Sequence, residues 1–152
     1  MSGAGAPQLN VDAAGLNVVV VASWWHTQIM DGLLGGAERA LRKAGNTEYQ
    51  VIRVPGAFEL PLAAQRAANS GAAAVIALGV VIQGDTPHFD YVCDAATSGL
   101  MRVQLDTGVP VGFGLLTVDT EEQGLARAGL ESSREDKGAE AVEAAIAMAR
   151  LS

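Results

Sequence analysis

Two short, largely aliphatic runs constrain this chain more than any other feature. Leu16–Ala22 reads LNVVVVA and Ala73–Val81 reads AAVIALGVV, with no alternation of apolar and polar positions in either. A strand with one wet face alternates, whereas one covered on both faces does not need to, and double coverage is the habit of parallel sheets held between helices. Between the runs the period changes. Gln28–Ala44 carries Ile29, Leu33, Leu34, Ala37, Ala40 and Leu41 at helical spacing, and Gly45 follows as a stop. The alternation continues with a strand at Tyr49–Val54, a helix at Phe58–Asn69 opened at Pro61, and the run at Ala73–Val81. After a break at Gly84 and Pro87, the pattern predicts a helix over His88–Leu105, a strand over Val109–Thr117, and helices over Glu121–Ala128 and Asp136–Leu151.

Parallel strands need long crossovers, and crossovers are right-handed almost without exception. The reading is therefore an α/β fold, a three-layer α/β/α sandwich around a mostly parallel four-stranded sheet. A length of 152 residues is sufficient for one domain, 1–152, with the Gly- and Ala-rich residues 1–7 expected to be a flexible tail. The formal charge of −7 and pI near 4.7 disfavour a nonspecific grip on nucleic acid or anionic membrane. The sequence shows neither an apolar run of the roughly 20 residues that span a bilayer nor the pattern of a signal peptide. One cysteine, Cys93, can make no internal disulfide and fits a reducing interior, so a cytoplasmic location is expected.

In open α/β sheets ligands gather beyond the carboxyl ends of the strands. The first such end is Ser23-Trp24-Trp25-His26. A tryptophan there can stack on a flat heteroaromatic ligand or plug the space under the helix, and two in succession can do one of each. His26 reads as a helix-start residue. The second end, Val54-Pro55-Gly56-Ala57-Phe58-Glu59, offers approachable amides and a carboxylate that could hold hydroxyl groups or simply complement a helix dipole. The third runs through Val80-Val81-Ile82-Gln83-Gly84-Asp85-Thr86-Pro87-His88, a glycine-containing turn into a helix, which suits phosphate. It has neither the lysine of a P-loop nor the glycines of a dinucleotide fingerprint. His88 beside that turn can exchange protons near neutral pH or merely begin the helix. Arg127 and Lys137 can clamp an anion or remain solvated cations. Cys93 reads as buried packing, and Asp119, Glu121 and Glu122 as helix-start acids.

Taken in order, Pro55-Gly56-Ala57-Phe58-Glu59, Ala77-Leu78-Gly79, Gly84-Asp85-Thr86-Pro87-His88-Phe89-Asp90-Tyr91-Val92-Cys93, Gly108-Val109-Pro110 and Asp136-Lys137-Gly138-Ala139-Glu140 closely resemble the lumazine synthase family of riboflavin biosynthesis. The resemblance runs from Leu16 to Leu151. It implies a flavodoxin-like fold and a transferase that condenses 5-amino-6-(D-ribitylamino)uracil with 3,4-dihydroxy-2-butanone 4-phosphate, yielding 6,7-dimethyl-8-ribityllumazine, phosphate and water. It implies no cofactor and no metal. It assigns Trp25 to stacking on the pyrimidine, Ala57, Phe58 and Glu59 to the ribityl chain, and Val80, Val81 and Ile82 to main-chain contacts with the pyrimidine edge. Asp85 and Thr86 match the phosphate turn, His88 the proton-transfer residue, and Phe113 and Arg127 contributions from a neighbouring subunit. Lys137 matches a basic residue near the phosphate.

The resemblance also implies a homo-oligomer with sites at subunit interfaces and is compatible with association with riboflavin synthase. Many relatives carry arginine where this chain has Gln83. The stretch Gly129–Gly138 is longer than in relatives that build sixty-subunit shells, which favours a pentamer. In the family a segment matching Gln8–Val11 adds a strand to the adjacent subunit, and the spacing of Leu9 and Val11 permits that pairing. A homologue that binds lumazine or riboflavin without efficient synthesis, or an assembly protein with a vestigial pocket, would keep the same motifs. A flavodoxin-like electron carrier would share the fold but not the motif.

Overall fold

The computed structural model describes residues 4–151, so the first three residues of the expected tail lie outside the described residues. The valine run forms β1 (Val18–Ser23), and the crossover α1 (Thr27–Lys43) returns the chain to β2 (Gln50–Val54). A single 3₁₀ turn over Ala57–Glu59 leads into α2 (Leu60–Asn69), then β3 (Ala74–Ile82), α3 (His88–Thr107) and β4 (Val111–Val118). A short α4 (Glu121–Leu125) and α5 (Lys137–Ala149) finish the fold. The strand order is β2-β1-β3-β4, and all three pairings are parallel. The sheet is thus wholly rather than mostly parallel. The chain turns outward from β1 to β2 and then resumes on the other side with β3, which opens a crevice at the carboxyl ends of β1 and β3.

Both faces of the sheet are covered, as unbroken aliphatic strands require. Val18, Val20 and Ala22 point into one core with Ile76, Leu78, Leu33 and Ile146, under α1 and α5. Val19 and Val21 point into the other with Val75, Ala77, Leu60 and Leu100, under α2 and α3. Small residues set the separations. A Cβ on Gly138 would lie 2.1 Å from the Leu33 carbonyl oxygen, and one on Gly112 would lie 2.3 Å from that of Ala141. Helix α5 therefore packs at backbone distance against both α1 and β4.

Several boundaries differ from the sequence reading. Pro61 sits in the first turn of α2, but Ala57–Glu59 winds as a 3₁₀ turn ahead of it. Helix α4 ends at Leu125, so Arg127 lies beyond the helix rather than closing it, in a turn where its N–H donates to the Gly124 carbonyl (3.1 Å). Cys93 is only partly buried, and that burial, with Asp90 nearby, raises its thiol pKa. Residues Gln8–Val11 belong to no strand of this single chain. Just after them, Ala13 is fully buried and its N–H donates to the Ala44 carbonyl (2.8 Å). Among the described residues no helix is long and apolar enough to cross a membrane, and no acid, histidine and cysteine cluster could hold a metal ion.

Candidate active site

The crevice predicted by topology exists as a cleft of about 510 Å³ at the carboxyl end of the sheet. Its floor comes from β3. The register of β1 with β3 ends at Ala22 and Leu78, so beyond it the β1-side edge of Val80, Val81 and Ile82 has no strand beside it. Those residues still pair with β4 through Leu116, Thr117 and Val118. A parallel strand that outruns its neighbour presents unpaired main-chain donors and acceptors in a row, a ready partner for the edge of a flat polar ring.

The β1-to-α1 turn separates the two tryptophans. The Arg53 guanidinium stacks 3.8 Å from the centroid of the Trp24 ring while donating to the carbonyls of Ala22 (3.2 Å) and Ser23 (2.9 Å). Trp24 is thereby engaged on the β2 side, through a cation–π contact. Trp25 lines the cleft and is 66% exposed. Gly56 makes room for it, since a Cβ there would stand 3.3 Å from the indole ring and 3.4 Å from Glu59 Oε1. Ala57 and Phe58, displayed by the 3₁₀ turn, form the adjoining wall.

His88 is the first residue of α3 and projects into the same cleft from an exposed position. Its N–H donates weakly to Thr86 Oγ1 (3.4 Å), a local turn that orders the loop entering the helix. Asp85 and Thr86 themselves stand exposed on that loop rather than among the cleft-lining residues. Glu59 lies beside Gly56 but lines a different groove, between β2 and α2. The sequence reading did not assign His26, Gly56, Tyr91 or Val92 to the cleft, all of which line it. Tyr91 follows His88 by three residues on a helix, a spacing that puts both on one face and was available as a signal.

Phe113, Arg127 and Lys137 collect elsewhere. They line a cavity of about 380 Å³ wrapped around the open edge of β4, together with Thr117 and Glu140. Phe113 is 49% exposed on that edge. Arg127 Nη1 donates to the Gln123 carbonyl (2.8 Å), and its Nε lies 3.7 Å from Glu135 Oε2. Lys137 Nζ lies 3.0 Å from Glu135 Oε1 and 3.2 Å from Glu140 Oε1. Burial alone would lower the pKa of this ammonium, but hydrogen bonds and charge from Glu135 and Glu140 outweigh it and the net shift is upward. Lys137 is therefore cationic throughout the neutral range. In one chain, then, the histidine and the phosphate-type cations occupy two separate cavities.

The sequence model of the 6,7-dimethyl-8-ribityllumazine synthase family matches residues 15–152. A protein of Kineococcus radiotolerans bearing that name is 66% identical over 146 residues, covering 96% of this chain and 91% of its own length. The Kocuria rhizophila protein of the same name is 62% identical (98% of this chain, 97% of its own), and that of Streptomyces coelicolor is 60% identical (98% and 93%). Likeness of this degree over almost the full length stands beside a parallel α/β fold with a cleft at the carboxyl ends of its strands, and the chain belongs to the 6,7-dimethyl-8-ribityllumazine synthase family.

Proposed function

We propose that this protein is a transferase that condenses 5-amino-6-(D-ribitylamino)uracil with 3,4-dihydroxy-2-butanone 4-phosphate to form 6,7-dimethyl-8-ribityllumazine, a step of riboflavin biosynthesis. The observation that carries the reading is the cleft itself: an aromatic face at Trp25, a bare main-chain edge at Val80–Ile82, and the His88 imidazole converge on one space of about 510 Å³. A volume of this kind suits one flat, polyhydroxylated heterocycle with a small second reactant.

In this reading Trp25 stacks on the pyrimidine, and Val80, Val81 and Ile82 exchange hydrogen bonds with its polar edge. Ala57, Phe58 and the Glu59 carboxylate hold the ribityl chain. Asp85 and Thr86 frame the phosphate, with Arg127 and Lys137 of an adjacent subunit supplying its positive partners and that subunit's Phe113 closing the site. The pyrimidine's amine attacks the ketone and water leaves to give an imine. Loss of phosphate follows, and the ribityl-bearing nitrogen then closes the second ring with expulsion of a further water. Each transfer needs a proton moved at the reacting nitrogen or oxygen, and of the two imidazoles that line the cleft it is His88, beside the Asp85–Thr86 turn, that takes this role. Most of the acceleration comes from holding both reactants together, which replaces a bimolecular encounter.

The two-cavity arrangement supports a cyclic assembly in which the β4-edge cavity of one subunit meets the cleft of the next. The assembly proposed is a pentamer, in keeping with the extended Gly129–Gly138 stretch. β2 is an edge strand of the sheet, which leaves its outer main chain open to a strand from a neighbour's Gln8–Val11. The lone Cys93 fits a reducing compartment, and the cytoplasm is the proposed location.

The test is direct synthesis from both substrates, followed by the absorbance of the lumazine. His88→Ala is expected to lower kcat by on the order of 10²-fold with little change in either KM. Arg127→Ala is expected to raise KM for the phosphorylated substrate while sparing that for the pyrimidine. Failure of the wild-type protein to form lumazine, with lumazine or riboflavin still bound tightly, would instead favour a binding homologue.

A further inference from the structure

Arg127 and Lys137 share a counter-anion that the reaction scheme above does not use. Glu135 spans the two cations, with Oε2 3.7 Å from Arg127 Nε and Oε1 3.0 Å from Lys137 Nζ. Glu140 adds a second carboxylate 3.2 Å from the same ammonium. Two cations and two anions sum to zero, so a phosphate dianion reaching this cavity meets a cluster with no net charge. The side chains of Glu135 and Lys137 are only 13% and 15% exposed. Charges so placed act through a lower effective dielectric than bulk water, and each weighs more on its neighbours.

Glu135 differs from Glu140 in position and support. Glu140 lines the cavity, whereas Glu135 is not among the lining residues and approaches the cations from outside it. Its main chain is tied on both sides: the N–H donates to the Ala126 carbonyl (3.0 Å) and its carbonyl accepts from the Gly129 N–H (2.9 Å). The carboxylate is thus held by a loop that has its own backbone anchors, and neutralising it removes a charge without removing the anchor.

We propose that Glu135 sets the charge of the phosphate subsite: it keeps Arg127 and Lys137 side by side and lowers their combined potential, so that the phosphate group is gripped and, once cleaved, let go. This rests on the assignment of Arg127 and Lys137 to phosphate. Were Glu135 only a brace for the loop, its loss would loosen the cations and weaken anion binding. As a charge-setting residue, its neutralisation does the reverse.

The experiment titrates inorganic phosphate into the assembled wild-type, Glu135→Gln and Arg127→Ala proteins by calorimetry, with steady-state kinetics alongside. Glu135→Gln is expected to bind phosphate roughly five- to tenfold more tightly than wild type. It is also expected to show a lower KM for the phosphorylated substrate, stronger inhibition by phosphate, and an unchanged KM for the pyrimidine. Phosphate affinity that is unchanged or weaker in Glu135→Gln overturns the proposal. Arg127→Ala tests the underlying assignment separately, because wild-type phosphate affinity in that variant would dismiss the subsite itself whatever Glu135→Gln does. Should Glu135→Gln fail to assemble, Glu135→Ser carries the same readout.

Discussion

His26 adopts the left-handed backbone conformation (φ 60°, ψ 70°), and it is the only non-glycine residue with positive φ among the described residues. The turn demands it, because β1 must reverse into α1 within a few residues while the His26 carbonyl accepts the first helical hydrogen bond, from Met30 N–H (2.9 Å). A residue with a Cβ gives up about 1 kcal/mol there. The strain sits in the cleft wall, with the imidazole 6.3 Å from the Trp25 ring, centre to centre, and tilted 47°. Exchange for glycine relieves the strain but removes the ring beside Trp25. We expect His26→Gly to be more stable than wild type by about 0.5–1 kcal/mol in urea denaturation, and His26→Val, β-branched, to be less stable by at least as much. The reverse order would show that the turn is not strained. At this scale the sequence was legible where local order carried meaning: the Gly84–His88 stretch announced a turn into a helix with a histidine at its start. Residue pattern alone left open which tryptophan meets the cleft, and only the family resemblance pointed to Trp25, because Arg53, distant in sequence, decides that by stacking on Trp24. The sequence was mute on Glu135, whose contact with Arg127 depends on a loop that folds back through the Ala128–Asp136 bridge.

Strands and helices were legible because burial on both sheet faces leaves unbroken aliphatic runs, and amphipathic crossovers leave a 3.6-residue period. Ends were less so. Helix α4, capped at its start by Thr120, stops early because the chain must turn within a few residues to Gly129, which has φ 67°. Nor does periodicity reveal that a glycine marks contact between backbones. Gly35 and Gly138 provide the contrast. Gly35 lies inside α1 with only the flexible end of Arg39 near a notional Cβ, at 3.3 Å, so Gly35→Ala is expected to gain about 0.5–1 kcal/mol from helix propensity. On Gly138 the added carbon would stand 2.1 Å from the Leu33 carbonyl oxygen, which belongs to rigid backbone. Relief would require α1 and α5 to separate, and Gly138→Ala is expected to lose about 2–3 kcal/mol. Chemical denaturation of both variants checks the pair, and equal midpoints would mean that the two helices are not packed at backbone distance. Because Lys137 opens α5 beside Gly138, the same separation would also disturb the β4-edge cavity.

At the level of the whole molecule, the arrangement of the two cavities is the consequential fact. A single chain carries His88 in the cleft beyond β3 and Arg127 with Lys137 in the cavity around β4. Under the proposed shared site the two cavities belong to different subunits, and head-to-tail contacts that close into a ring would provide one such junction per subunit. This gives a prediction independent of absolute rates. His88→Ala subunits still offer an intact Arg127, and Arg127→Ala subunits an intact His88. Each homo-oligomer is impaired at every junction. When the two are unfolded together in equal amounts and reassembled at random, about a quarter of the junctions pair an intact His88 with an intact Arg127 across a heterologous contact. Assayed with the phosphorylated substrate far below the raised KM of the Arg127→Ala protein, activity in the mixture is therefore expected to rise to about a quarter of the wild-type level, far above the mean of the two parents reassembled separately. Sedimentation of the mixture checks that assembly itself is unchanged. If each chain instead held a complete site, every site would keep one defect, mixing would change nothing, and the shared-site reading would fall.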